Sequence, residues 1–236
     1  MEYNYQRFKL SDYDLMHFPG PKAGDVMPDF TLYDQQGNEV RLSAFRGKWL
    51  VIETGSTSCM MYARNVSAAS RLIEKYPDVE FLVVYVREAH PGHKLPAHRS
   101  LNEKLELSKT LAPLYDEKRK VMVDSLEGDL HRTFGGLPNV IYLIDPQGKV
   151  VFRVDWGEPG KLDQALAHRN RLHEDDHCTH EHMSAPLGLS LAILLRSGRD
   201  ALWDFLKAAV FLIPTHKKAD AAFARRRGDG HDPESA

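Results

Sequence analysis

The residue best placed for chemistry in this chain is Cys59, which closes the polar turn Gly55-Ser56-Thr57-Ser58-Cys59. The turn follows Trp49-Leu50-Val51-Ile52, a short apolar run with β-branched members that reads as a buried strand of an α/β sheet. Beyond it, Tyr62, Val66, Ala69, Leu72, Ile73 and Tyr76 recur at helical spacing, so a helix begins at or just after Cys59. Open α/β sheets place their chemistry at the carboxyl ends of strands. A helix start there offers unpaired N–H groups and a partial positive charge, which lower a thiol's pKa and make it nucleophilic. The plainer alternative is a buried structural cysteine. Ser56, Thr57 and Ser58 can donate hydrogen bonds to a thiolate or to an anion beside it. The position three after Cys59 is Tyr62, so no CxxC pair is formed.

A second group follows the next apolar run, Glu80 to Val86: Tyr85, Glu88, His90, His93 and His98. Glu88 and His90 at a strand end can converge on a neighbouring strand's turn, where an imidazole close to Cys59 would hold a thiolate or pass a proton. A solvent-exposed polar loop explains the same residues equally well. A third group is His168, His173, His177, Cys178, His180 and His182, ligand types that suit a soft or borderline metal. Their spacing matches no closed tetrahedral pattern, and no metal ligands are assigned.

The elements that must position these residues are those of a compact α/β sheet. Residues 1–24 form an irregular arm whose tyrosines and Phe8 pack on the domain surface. Asp29 to Tyr33 and Val40 to Leu42 make a hairpin, and the strand–helix–strand from Trp49 to Val86 is a right-handed βαβ unit. A helix over 99–111 ends at Pro113. Short elements at 121–123 and 126–134 follow, then a terminal hairpin over 140–154 and a closing helix over 159–172. This is the order of a thioredoxin-like sheet, and Pro138 suits a cis proline facing the Cys59 helix. The domain is taken as 25–172, with a polar His-rich linker at 173–184 and helices within 185–214. A basic tail frays from Thr215. Leu202, Trp203, Phe205, Leu206, Val210 and Phe211 leave a broad apolar face, which packing on the main domain or on a twin subunit would bury; a membrane-surface helix is the sharper reading, and Lys207 as the only base within the segment's core argues against it.

Composition narrows the class. The 236 residues carry a formal charge of −2, which gives no field drawing the chain to nucleic acid. Two cysteines make no disulfide framework and fit a reducing compartment. No signal peptide and no membrane span is read, so the expectation is cytoplasmic.

Several motifs together resemble one family. Gly55 to Cys59 with an aromatic three residues on is similar to the iodothyronine deiodinase active-site turn, where the Cys59 position is usually selenocysteine. Tyr85-Val86-Arg87-Glu88-Ala89-His90-Pro91, Pro96 to Leu101, Val121 to Ser125 and Phe134 to Pro138 resemble further segments, so the likeness spans about residues 25–170. It implies a thioredoxin-like fold related to peroxiredoxins, with Cys59 the chalcogen nucleophile. Ser56, Thr57 and Ser58 would stand beside it, Pro138 across from it, and Tyr85, Glu88, His90 and His98 would relay protons and orient substrate. The chain departs from the family in having sulfur at position 59, Met60 and Met61 in place of two prolines, and Val154-Asp155-Trp156-Gly157 in place of a Gly-Gly-Arg-Gly segment. The family's N-terminal anchor is not seen.

The expectation is an α/β, thioredoxin-like oxidoreductase with a C-terminal helical extension, needing no cofactor. It would act on a small molecule carrying aryl-bound iodine, a peroxide or a disulfide, and be restored by an external thiol such as thioredoxin or glutathione, or by Cys178. The alternative is a non-catalytic protein that binds a metal or partner through the His-rich segment and apolar helices.

Overall fold

The computed structural model describes residues 3–14, 19–171, 178–180 and 185–228. In chain order the strands are β1 (Thr31–Tyr33), β2 (Glu39–Arg41), β3 (Trp49–Gly55), β4 (Val79–Tyr85), β5 (Lys120–Val123), β6 (Val140–Ile144), β7 (Val150–Asp155) and β8 (Cys178–His180). The helices are α1 (Met60–Lys75), α2 (Leu101–Ser108), α3 (Leu111–Tyr115), α4 (Asp129–Thr133), α5 (Pro159–His168), α6 (Leu187–Ser197) and α7 (Arg199–Gly228).

The strands form one mixed sheet in the order β2-β1-β5-β4-β3-β6-β7-β8. β3 lies at its centre, parallel to β4 and antiparallel to β6. Both central strands read as near-continuous apolar runs because both faces of the sheet are covered. Leu50, Ile52, Leu82 and Val84 face one buried cluster, and Val51, Phe81, Ile141 and Leu143 the other. This is the thioredoxin-like α/β architecture with added C-terminal helices.

The structure corrects several expectations. The bond before Pro138 is trans, and no described residue has a cis peptide. Gly135 and Gly136, both at positive φ (90° and 69°), reverse the chain ahead of it, so the proline need not. Pro113 lies within α3 at its third position, inside the first turn, where its missing N–H costs no internal hydrogen bond. The helix beyond Arg199 does not stop at Pro214 but continues to Gly228. Past the proline, His216 and Ala219 are buried, and the His216 ring meets Trp156 edge-on with centroids 5.1 Å apart. That anchoring outweighs the hydrogen bond the proline removes. Within the His-rich stretch, Cys178–His180 pairs in parallel with β7 as the outermost strand. His173, His177 and His182 lie outside the described residues, as do the side chains of Cys178 and His180.

Candidate active site

Gly55 ends β3 and Cys59 is the N-cap of α1, so the turn between them sits at the carboxyl end of the central strand. The Cys59 sulfur accepts the Tyr62 N–H at 3.5 Å, and its S–H faces the Pro138 carbonyl at 3.5 Å. The side chain is 1% exposed. Burial pushes the thiol up to about 12, and the negative charges of Glu53 and Glu88 add to this. The N–H groups of Tyr62 and Met61 pull the other way and are outweighed. The low pKa expected from the helix terminus alone is therefore corrected: desolvation of the charged form exceeds the help from the helix.

The structure brings the second group to this turn. The Glu88 carboxylate accepts the Ser58 N–H at 2.7 Å and the Ser58 hydroxyl at 2.5 Å through one oxygen, and the Tyr85 hydroxyl through the other. His98 Nε2 stands 3.6 Å from that second oxygen, at ion-pair rather than hydrogen-bond distance. Burial alone would push Glu88 up, but His98, Ser58 and Tyr85 together hold it below the usual carboxylate range. Thr57 bonds to Tyr85 at 3.1 Å and to Thr110 at 3.0 Å, while the Tyr115 hydroxyl donates to the Thr57 carbonyl. Ser56 accepts the Ala89 N–H, and Ser58 the His90 N–H. The polar loop is thus buried structure, cross-braced to the cysteine turn.

His90 takes a different position. Its ring lies between Phe8 and Phe205, at centroid distances of 4.5 and 5.5 Å, and its Nδ1 has no hydrogen-bond partner among the described residues. Burial drives its pKa down to about 4, so it is a neutral imidazole at physiological pH. His93 lies apart, exposed and paired with Asp200 at 2.7 Å.

Cys59 and His90 share the wall of a cavity of about 310 Å³. Met60, Met61, Pro138 and Trp156 line its floor side. Phe8, Leu10 and Tyr13 of the N-terminal arm and Phe205, Ala209, Leu212 and His216 of α7 enclose the rest. The lining is overwhelmingly apolar, and the volume is that of a small organic ligand. Arg87 fixes the arm, stacking on the rings of Tyr3, Tyr5 and Tyr13 and donating to the Tyr3 and Gly136 carbonyls. Sequence reasoning missed the α7 contribution, although 205, 209, 212 and 216 recur at the spacing of one helix face.

Also missed was a buried charge network under Cys59. Arg119 bridges Glu53 and Glu117, Tyr62 donates to Glu117 at 2.6 Å, and Asn65 and Asn139 donate to Glu53 at 3.1 and 2.9 Å. No local pattern joins residues so far apart in sequence.

Known proteins place the chain in context. Over 152 residues it is 27% identical to thyroxine 5-deiodinase of Ovis aries, a match covering 60% of this chain and 50% of that protein. The human thyroxine 5-deiodinase is 26% identical over 155 residues, covering 60% and 48%. The chain spans about half the length of the curated relatives it matches. Among solved structures, an uncharacterized conserved protein from Geobacillus kaustophilus superposes with a TM-score of 0.53 at 17% identity, over 69% of this chain and 89% of that one. That likeness bears on the fold alone. The AhpC/TSA family model matches residues 23–153, more than half of the sequence and the whole sheet from β1 to most of β7, and the chain belongs to the AhpC/TSA family.

Proposed function

We propose that this AhpC/TSA member is a thiol-dependent oxidoreductase in which Cys59 attacks a soft electrophile carried by an apolar small molecule. The observation that supports this most is the cavity: Cys59 lines it, and the rest of the lining is largely apolar and aromatic. Hydrogen peroxide, small and fully hydrated, would give up water there for few hydrogen bonds, whereas an aromatic or alkyl group gains by burial.

The resting thiol is protonated, so its proton must leave as the new bond forms. Neutral His90, which lines the same cavity and whose Nδ1 has no hydrogen-bond partner among the described residues, is the candidate acceptor. For an aryl halide, sulfur takes the halogen, the His90 proton passes to the aryl carbon, and the products are a sulfenyl halide and the dehalogenated arene. For an organic hydroperoxide, sulfur takes the terminal oxygen, the same proton passes to the alkoxide, and a sulfenic acid remains. In either case one external thiol displaces halide or water to give a mixed disulfide. A second thiol then releases Cys59. Tyr85, Glu88 and His98 hold the Ser56–Ser58 turn and its charge in place, and Pro138 orients the S–H. Cys178 suits this restoring step less well. Its backbone belongs to the edge strand, two strands beyond β6 and two residues back from the site, ~10 Å or more away at ordinary strand spacing. The matches to thyroxine 5-deiodinases favour an aromatic halide, and the AhpC/TSA assignment favours a hydroperoxide.

Filling the cavity tests the reading. Ala209→Trp should slow reaction with a bulky iodothyronine or cumene hydroperoxide by tenfold or more, on the order of one ring's lost burial, and leave the slow reaction with hydrogen peroxide unchanged. Equal slowing of all substrates, or of none, would argue against the cavity as the substrate site.

A further inference from the structure

The outward face of α7 has no role in the cavity. Trp203, Leu206, Val210 and Phe211 are 57%, 51%, 72% and 65% exposed. At 100° per residue they fall on one side of the helix, and the same side continues through Pro214 to Lys217, Lys218, Ala221 and Arg225, all exposed. The stripe is apolar in its first half and basic in its second. None of the exposed described residues from Trp203 to Arg225 is acidic. The two carboxylates at the start of the helix are already engaged, Asp200 by His93 and Asp204 by Arg7 at 2.5 Å. Residues 205–228 hold six basic residues against one acid, Asp220, a local charge of +5 in a chain whose net charge is −2.

We propose that this face of α7 docks on the surface of an anionic lipid bilayer. Four large side chains within about two and a half turns match the apolar half of an interfacial helix, and the basic half matches lipid headgroups. Lys207, inside the apolar half, lays its ammonium 5.2 Å from the Trp203 ring centre, so its stem covers apolar surface while its charge can reach the headgroups. No described helix is long and apolar enough to cross a membrane, and the helix would lie on the surface. A second copy of the chain fits this face less well. Among its described exposed residues the stripe offers no carboxylate to answer Lys217, Lys218 and Arg225, so self-association would bury apolar surface beside unanswered positive charge. The proposal is independent of the chemistry at Cys59.

Sedimentation of the full chain with vesicles tests it, comparing phosphatidylcholine alone with phosphatidylcholine mixed with phosphatidylglycerol. The chain should partition onto the mixed vesicles, and less at high salt. Lys217→Gln with Lys218→Gln should lower the partition coefficient on the order of tenfold or more, and Val210→Ser with Phe211→Ser should abolish it. Cys59→Ser should bind like the wild type. All these positions but Cys59 are exposed, so the fold is expected to hold, checked by circular dichroism. No binding to the mixed vesicles, or binding indifferent to both pairs of substitutions, would overturn the proposal. So would a dimer in sedimentation equilibrium that the Val210/Phe211 pair dissolves in a chain that never binds vesicles.

Discussion

At the scale of single residues, the pKa of Cys59 separates this site from one that relies on a resting thiolate. Burial holds the thiol near 12, so alkylation of Cys59 by iodoacetamide should be slow at neutral pH. Its rate should climb through the range from about pH 6 to about pH 9 without an inflection. An inflection near neutrality would contradict that electrostatic account. His90 has the complementary property. Its folded pKa is depressed to about 4 from an ordinary 6.5, so between those values the unfolded chain binds a proton that the folded chain refuses. The resulting stability is fully present above about 6.5 and is lost as pH falls toward 4, about 3 kcal/mol in all. Glu88, held below its ordinary value, and His131, driven well below its own by burial, push in the same direction. The midpoint of urea unfolding should therefore fall as pH drops from about 7 to about 4.5, and fall less steeply in His90→Gln. A midpoint flat across that window would refute the assignment of a buried neutral imidazole.

At the scale of elements, the register of β3 against α1 decides where Cys59 sits. A Cβ added at Gly55 would meet the Tyr62 ring at 2.5 Å, and that ring is fully buried. Gly55→Ala should therefore cost roughly 1–3 kcal/mol by forcing the first turn of α1 aside, measurable as a shift in denaturation midpoint; an unchanged midpoint would mean the turn is not tightly packed. Arg119→Met should cost roughly 3–5 kcal/mol, because Glu53 and Glu117 would be left buried without their counter-charge. The strand and helix that carry Cys59 were legible because a run of apolar β-branched residues and a 3.6-residue rhythm are local signals. The Glu53–Arg119–Glu117 network was not, since Glu53 on β3 and the 117–119 segment lie far apart in sequence and are brought together only by the fold. The trans bond at Pro138 was missed because the turn chemistry resides in Gly135 and Gly136, and the survival of the helix past Pro214 because its cause, a seat for His216 beside Trp156, is tertiary.

At the scale of the molecule, the AhpC/TSA core stops short of both ends, and the two ends meet over the site. The arm supplies Phe8, Leu10 and Tyr13, α7 supplies Phe205, Leu212 and His216, and the Arg7–Asp204 pair ties them together. The apolar residues of these segments were visible in the sequence, whereas their convergence on one cavity with Cys59 was not, because it depends on where each segment returns to the sheet. If this enclosure selects the substrate, the site should prefer apolar electrophiles. The most direct measurement is a single-turnover reaction of the reduced full chain, wild type against Cys59→Ser, with an iodothyronine, cumene hydroperoxide, hydrogen peroxide and a small polar disulfide. Iodide release, alcohol formation and loss of the thiol would be followed together. The account predicts one equivalent of product from an apolar electrophile, matched by loss of one thiol and absent in Cys59→Ser. Reaction that persists in Cys59→Ser, or no reaction with either apolar substrate, would contradict it.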